Sequence, residues 1–374
     1  MLKEERLLEE FLELVQIDSE SGDERAVADV LKQKFTDLGL DVMEEDTTAT
    51  TGHNAGNVIC KLKGTVENAK VVLFGAHMDT VSPGKGIKPK VLDGYVITDG
   101  TTILGADDKA GIAAILEAVR VLKEQNIPHG DIEILLTVGE EVELIGARSL
   151  DPSLLKATSG YALDTGGAVG NIKSSAPARG TLTANVYGQT AHAGVAPEKG
   201  VSAIAVAAHA IANMPLGRID EETTANIGTF IGDGPLNVVI DHTKVVAEAR
   251  SLVNEKLDAQ LNQMKAAFEE AAREMGGRVE IQIESSFPAF KLGDDAPVVQ
   301  VAKRAAAKIG RDCATFAAGG GSDANIINGY GIPMVVLACG YEEIHTTNER
   351  MPIAELNKLV EMTVAVIMEV AKEG

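Results

Sequence analysis

Short apolar runs that alternate with amphipathic helices constrain the fold of this chain most strongly. Runs at residues 71–74, 132–138 and 334–337 are too short for helices and carry apolar residues on both alternations. Such runs are typical of strands that are buried on both faces of a sheet. Apolar residues at helical spacing near residues 112–122 and 356–367 predict helices that cover the sheet. The pattern therefore predicts an α/β fold, in which helices sandwich a mixed, mostly parallel sheet.

The pattern changes between about residues 178 and 285. The segment 181–187 alternates polar and apolar residues, as in an antiparallel sheet with one solvated face. A helix predicted over residues 255–275, with another before it, completes a β-α-β-β-α-β order of the ferredoxin-like, split βαβ type. We therefore expect an inserted α+β lid or dimerisation domain, residues 178–285, within a discontinuous catalytic domain, residues 1–177 and 286–374.

The charge balance argues against several classes of partner. The chain has 34 Lys and Arg against 55 Asp and Glu, for a formal net charge of −21. Such a chain repels nucleic acid and anionic membrane surfaces, so neither is expected as a partner. No run approaches the roughly 20 apolar residues of a membrane span, and the amino-terminal residues lack the pattern of a signal peptide. Cys60, Cys313 and Cys339 are far apart and are interpreted as free thiols, which favours a cytoplasmic location.

Residues with metal-binding or acid–base chemistry follow several of the predicted strands. They are His77, Asp79, Asp107, the pair Glu140 and Glu141, Asp164, and His345. Singly, each is explained as turn or helix-cap chemistry. Jointly they are more informative, because the carboxyl ends of parallel strands meet at one edge of a sheet. Two imidazoles and three carboxylates suit two zinc-like ions that share a carboxylate. One glutamate of the pair can bind metal while the other accepts a proton from water.

These motifs, in this order, resemble those of the zinc-dependent bimetallic exopeptidase and aminoacylase family, which includes carboxypeptidase G. The resemblance spans nearly the whole chain, and it is closest to peptidase T, a tripeptide aminopeptidase, through residues 97–111 and 137–142. It implies a di-zinc metallopeptidase that hydrolyses the amino-terminal residue from short peptides, with tripeptides as the expected substrates.

The resemblance also implies a role for each motif residue. Asp107 would bridge two zinc ions, and cobalt or manganese would suit the same ligands. The other ligands would be Glu141 and His345 for one ion, and His77 and Asp164 for the second. Asp79 would orient His77, and Glu140 would act as the general base.

The predicted inserted domain carries further resemblances to the family. Residues 188–194 are similar to a lid motif whose histidine, here His192, reaches toward the oxyanion of the tetrahedral intermediate, in dimeric members from the partner subunit. We therefore expect a homodimer that forms through the inserted domain. Arg250 resembles the family arginine that binds a substrate carboxylate. Other residues expected at the substrate pocket are Asn226, Asn237, Gly320 and Ser322.

Three alternatives stay open at this point. An N-acyl-amino-acid deacylase or a dipeptidase of the same family would use the same metal chemistry. A non-enzymatic binding protein would be favoured by loss of a catalytic position, but both Asp79 and Glu140 are present. A nucleotide-binding protein would depend on the glycines at 319–321, which lack the GxxxxGK[ST] order of a phosphate-binding loop.

Overall fold

A computed structural model describes residues 2–373. The two terminal residues, which the predicted catalytic domain includes, lie outside the described residues. The chain divides into two compact units. The first unit contains residues 2–175, 291–318 and 322–373, and the second contains Ala176–Phe290 and Gly319–Gly321.

Helices and strands alternate along most of the described chain. The helices are α1 (Glu4–Val15), α2 (Arg25–Asp37), α3 (Thr48–Thr51), α4 (Ala106–Gln125), α5 (Ile145–Ser149), α6 (Ala203–Ala212), α7 (Asn254–Met275), α8 (Pro297–Lys308), α9 (Asp323–Gly329) and α10 (Ile353–Val370). The strands are β1 (Asp41–Glu44), β2 (Val58–Leu62), β3 (Val72–His77), β4 (Lys90–Leu92), β5 (Tyr95–Ile97), β6 (Ile132–Thr137), β7 (Ser159–Thr165), β8 (Ile172–Ala176), β9 (Ala178–Tyr187), β10 (Gly217–Arg218), β11 (Thr223–Ile231), β12 (His242–Ser251), β13 (Arg278–Phe287), β14 (Phe290–Lys291), β15 (Thr315–Ala317), β16 (Met334–Ala338) and β17 (Met351–Pro352). Among residues 2–373, no helix combines the length and apolar content that crossing a membrane requires.

The first unit is built on a large mixed sheet. Its strand order is β1-β2-β6-β3-β7-β16-β8-β14, with β15 paired to β8. The central strands β6, β3, β7 and β16 are parallel, whereas β1 pairs antiparallel with β2, β2 with β6, and β8 with β16. Every residue of β3, β6 and β16 is buried, because helices cover both faces. The predicted α/β fold with a mixed, largely parallel sheet is therefore confirmed.

The parallel strands place their carboxyl ends at one edge of the sheet. His77 is the last residue of β3, and Asp164 lies one residue before the end of β7. Glu140 and Glu141 follow the end of β6 by three and four residues, and His345 lies in the loop after β16. Helix α4, which carries Asp107 in its first turn, packs against β3 and β7. The topology therefore explains how residues far apart in sequence converge.

The second unit is an antiparallel sheet with helices packed on it. The strand order is β10-β11-β12-β9-β13, and α6 and α7 contact the central strands β9 and β12. Strand β9 alternates fully buried and half-buried residues along its length. Leu182, Val245 and Phe268 belong to the apolar core between sheet and helices. The main elements follow the expected β-α-β-β-α-β order.

Candidate metal centre

All five predicted ligands lie in two clusters in the first unit. One cluster contains His77, Asp107 and Asp164, and the other contains Asp107, Glu141 and His345. Within each cluster the potential ligand atoms lie within 4.8 Å of one another. His77, Glu140 and Glu141 form a further group that meets the same distance limit. Asp107 Oδ1 lies 3.0 Å from His77 Nε2, and Asp107 Oδ2 lies 3.3 Å from His345 Nε2. The two oxygens of one carboxylate therefore face two different imidazoles, as a bridging ligand requires.

The remaining contacts complete each cluster. Glu141 Oε1 lies 2.9 Å from His345 Nε2, and Asp164 Oδ1 lies 3.6 Å from His77 Nε2. Tyr341 contributes a hydroxyl 3.4 Å from Asp107 Oδ1, although sequence reasoning did not select this residue. Imidazole nitrogens and carboxylate oxygens are donors that suit zinc, cobalt or manganese. The residues present therefore fit a pair of divalent cations that share Asp107.

The backbone around Asp107 departs from helical geometry. Gly105 has φ +71°, and Asp107 and Asp108 have non-helical dihedrals within the first turn of α4. The peptide bond between these two aspartates is cis. The buried Asp108 carboxylate accepts hydrogen bonds from the backbone amides of His77, at 3.3 Å, and Gly111, at 3.2 Å. The first aspartate thus presents its side chain to the clusters while the second holds the end of β3.

Asp79 is fully buried and contacts both His77 and the glutamate pair. His77 Nδ1 lies 2.9 Å from the backbone carbonyl oxygen of Asp79 and 3.3 Å from its carboxylate. The same carboxylate accepts hydrogen bonds from the backbone amides of Glu140, at 2.9 Å, and Glu141, at 3.3 Å. Ser21 Oγ donates to it at 2.6 Å. The sequence predicted only that Asp79 orients His77. In the structure its carboxylate also holds the backbone of Glu140 and Glu141.

A second buried carboxylate holds the residue before the glutamate pair. The amide of Gly139 donates to Glu24 Oε1 at 3.2 Å, and His53 Nδ1 lies 2.8 Å from the same oxygen. Gly139 has φ +56°, a conformation that favours glycine, and an added Cβ would lie 2.4 Å from the His53 ring. Three successive amides, at residues 139, 140 and 141, thus donate to buried carboxylates.

Burial and charge shift the pKa values of these residues. Burial raises the pKa of Glu140 well above its usual range, and the negative charge of Asp164 raises it further. Burial lowers the pKa of His77, but hydrogen bonds to neighbouring carboxylates outweigh burial and raise it well above 6.5. Hydrogen bonds to Asp107 and Glu141 raise the pKa of His345 to about 10. Without a metal ion, protons on the imidazoles thus offset the negative charge of the clusters.

Sequence reasoning did not assign three buried charged residues near these clusters. Lys109 Nζ donates to Ser19 Oγ at 2.6 Å, and burial lowers the pKa of this lysine to about 8. Lys173 is buried in β8, where its charge interacts with Asp164. Asp323 accepts a hydrogen bond from Thr137 Oγ1 at 2.5 Å, and burial raises its pKa to about 7. The only sequence signal was the position of Asp323 after the triple glycine.

Most of the predicted substrate-contacting residues belong to the second unit. His192 is exposed, and its Nδ1 accepts a hydrogen bond from the Gly194 amide at 3.2 Å. Arg250 lies in β12, where its Nε donates to Glu248 Oε1 and its Nη1 donates to the Gly319 carbonyl oxygen, both at 3.0 Å. The other exposed residues of this group are Asn226, Asn237 and Gly320. Ser322, in the first unit, is buried at the start of α9.

The fold agrees with comparisons to known proteins. Residues 73–369 match the model of Peptidase family M20/M25/M40, and the chain belongs to this family of peptidases. It is 61% identical over 372 residues to the uncharacterized protein YqjE of Bacillus subtilis strain 168, with 100% of both chains covered.

Two solved structures have the same fold over their full length. The aminopeptidase PepT from Bacillus cereus ATCC 10987 is 58% identical, with a TM-score of 0.96 and 99% of each chain covered. A tripeptidase from Staphylococcus aureus subsp. aureus Mu50 is 49% identical, with a TM-score of 0.96 and 100% of each chain covered.

Proposed function

We propose that this chain is a two-metal aminopeptidase that removes the amino-terminal residue from tripeptides. The observation that carries the proposal is the position of Asp107, whose two oxygens face His77 and His345. Membership of a peptidase family supports hydrolysis. The similarity to an aminopeptidase and to a tripeptidase at 58% and 49% identity supports the direction of cleavage and the length of the substrate.

The proposed centre holds two Zn²⁺ per subunit, or Co²⁺ or Mn²⁺ in the same sites. His77 and Asp164 hold one ion, Glu141 and His345 hold the other, and Asp107 is shared. Two divalent cations bound there would acidify a water molecule and polarise the scissile carbonyl group.

Glu140 is the proposed general base. Its carboxylate takes a proton from the attacking water and returns that proton to the nitrogen of the leaving amine. A carboxylate that acts as general base needs a pKa above that of an ordinary carboxyl group and closer to that of the water molecule that gives up the proton. Burial, which raises the pKa of Glu140, supports this role. Asp79 holds the backbone of Glu140 by accepting a hydrogen bond from its amide.

The proposed substrate contacts lie on the second unit and at the start of α9. Arg250 binds the carboxyl terminus of the peptide, because a guanidinium can form two parallel hydrogen bonds to a carboxylate. His192 donates to the oxyanion that forms during attack on the scissile carbonyl. The other proposed contacts are Asn226, Asn237, Gly320 and Ser322.

A homodimer through the second unit is part of the proposal. Strand β13 is ten residues long, pairs only with β9 among the described strands, and is mostly exposed. Val195 and Leu236 are 76% and 100% exposed, on two loops that a hydrogen bond from the Ala193 amide to the Asn237 carbonyl oxygen joins. An open strand edge and exposed apolar side chains favour association. Sedimentation that finds a fully active monomer would contradict the dimer.

The proposed location is the cytoplasm. Cys60, Cys313 and Cys339 are all free, and two of them are buried. Free buried thiols are usual where the environment is reducing.

Product identification by mass spectrometry tests the proposed reaction. The metal-loaded protein is incubated separately with a tripeptide, a dipeptide, the same tripeptide acetylated at its amino terminus, and an N-acetyl amino acid. We expect release of the first residue from the unblocked tripeptide alone. Cleavage of only the acetylated substrates would instead identify a deacylase, and cleavage of only the dipeptide would identify a dipeptidase.

A further inference from the structure

Glu349 is a buried carboxylate in an otherwise exposed loop segment. It lies four residues after His345 and is only 2% exposed, whereas residues 345–348 and 350 are exposed. Glu349 is neither one of the proposed metal ligands nor one of the proposed catalytic residues. A carboxylate buried in such a position needs hydrogen-bond donors, and the nearest donors lie on the segment that leads into α4.

Three backbone amides of that segment and of the first turn of α4 donate to Glu349. Its Oε2 accepts from Leu104 and Gly105, both at 2.8 Å, and its Oε1 accepts from Asp107 at 3.0 Å. Both carboxylate oxygens are therefore engaged, and one of them binds the backbone of the shared ligand itself. Charge-assisted hydrogen bonds of this kind are stronger than those between neutral groups.

These contacts join two segments that carry ligands of the same proposed ion. Glu349 belongs to the loop of His345, and its donors include the amide of Asp107. The two histidines differ in how firmly burial fixes them, because the His345 side chain is 47% exposed and the His77 side chain only 1%. The position of His345 therefore depends more on its loop, and Glu349 attaches that loop to Asp107.

We propose that Glu349 is a positioning residue that sets the affinity of the ion held by Asp107, Glu141 and His345. The inference rests on the proposed two-metal function. The other ion, held by His77 and Asp164 with the same bridge, depends less on Glu349 because the strand ends fix its histidine and its second carboxylate.

The test compares Glu349→Gln with a matched variant, Glu133→Gln. Glu133 is also buried, at 3% exposure, and its Oε2 accepts backbone amides from Lys156, at 2.8 Å, and Ala157, at 3.0 Å. It lies in β6 one residue after the strand begins, at the end away from the ligand-bearing edge. Its other oxygen, Oε1, lies 3.2 Å from Lys61 Nζ. Both substitutions replace one oxygen of a buried, fully engaged carboxylate by NH₂, but only Glu349→Gln concerns the ligand segments.

Zinc affinities are measured for both sites by competition with a chromophoric chelator, beside thermal unfolding. We expect Glu349→Gln to weaken one of the two sites by about 10–100-fold, as substitutions of residues that hold metal ligands do, and to weaken the other site, which shares Asp107, by a smaller factor. Excess zinc should then restore kcat without a change in the KM for the tripeptide. Glu133→Gln should keep both affinities even where its unfolding temperature falls.

A second variant and the wild type make the outcomes distinguishable. If Glu349→Gln does not fold, Glu349→Asp keeps the charge on a shorter side chain, and the same selective loss is expected. Two unchanged zinc affinities in a folded Glu349 variant, or an equal loss in Glu133→Gln, would overturn the inference and leave the proposed function intact. A wild-type protein that binds fewer than two ions would overturn both.

Discussion

The buried carboxylate of Asp79 accepts the backbone amide of Glu140 at 2.9 Å and lies 3.3 Å from His77 Nδ1. One side chain thus connects a proposed ligand with the proposed general base. Burial raises the pKa of Asp79, but hydrogen bonds from His77 and its other donors outweigh burial and lower it below the usual range. The carboxylate therefore stays ionised and keeps its acceptors available.

Replacing Asp79 by Asn should lower kcat more than it changes KM. The NH₂ group of the asparagine would face the backbone amides of Glu140 and Glu141, which are also donors, so one of these hydrogen bonds would be lost. The loss should cost about 1–3 kcal/mol in unfolding free energy. Misplacement of Glu140 should reduce kcat by about 10–100-fold. Steady-state kinetics and denaturant unfolding measure both effects.

Ser21→Ala is the control for that substitution. It removes only the hydroxyl that donates to the same carboxylate at 2.6 Å, and leaves the amides of Glu140 and Glu141 paired. It should lower stability with little effect on kcat. Equal kcat values for Asp79→Asn and the wild type would contradict the positioning argument.

Replacing Glu140 by Gln should separate proton transfer from metal binding. Glutamine keeps the size of the side chain but cannot accept a proton, so kcat should fall by about 10²–10⁴-fold. Because Glu140 is not among the proposed ligands, metal analysis should still find two ions per chain. A variant that retains the full rate would exclude Glu140 as the base, and one that loses an ion would place it among the ligands.

The sequence was sufficient to predict the residues that follow the strands, but not the carboxylates that hold the backbone around them. His77, Asp164 and His345 could be predicted because imidazoles and carboxylates after apolar strands form a recognisable order. Glu349 and Glu24 could not, because each acts through a hydrogen bond to a backbone amide, and amides leave no signature in a sequence. Only the folded chain brings their donors within reach.

The buried lysines were missed for a related reason. Lys109 follows the aspartates in sequence, but its burial and its contact with Ser19 depend on packing between α4 and a segment about 90 residues away. Lys173 lies in a strand whose pairing with β16 fixes it near Asp164. From the sequence alone, a lysine in an acidic chain is predicted to be a solvated surface residue.

Removal of the metal ions should make stability depend on alkaline pH. Hydrogen bonds to Asp107 and Glu141 raise the pKa of His345 to about 10, against about 6.5 when the chain is unfolded. The contribution of this histidine is therefore fully present below pH 6.5 and is lost as the pH rises toward 10. The chelated protein should unfold at lower denaturant concentration at pH 9 than at pH 7. A flat profile over this range would contradict the assignment of the protonated state.

The same protons should leave when zinc binds. Ligating imidazoles must be neutral, so apparent zinc affinity should rise with pH below 10. Calorimetry in two buffers of different ionisation enthalpy measures the number of protons released. Glu342→Gln, on the exposed part of the same loop, should release as many as the wild type, because its partner is Arg350. Zinc binding without proton release would mean that the histidines are already neutral.

Replacing Arg250 by Lys should raise the KM for a tripeptide and change kcat little. Glu248 holds Arg250 Nε at 3.0 Å and also accepts from Arg179 at 3.0 Å, which orients the guanidinium of Arg250. A lysine keeps the charge but loses the paired geometry, and a charge-assisted hydrogen bond is worth about 1.5–3 kcal/mol, or roughly 10–150-fold in KM. The matched substrate is the tripeptide amide, which lacks the carboxylate, and its KM should be the same for the variant and the wild type. A rise of equal size for both substrates would show that Arg250 supports the sheet of the second unit and does not bind the carboxyl terminus.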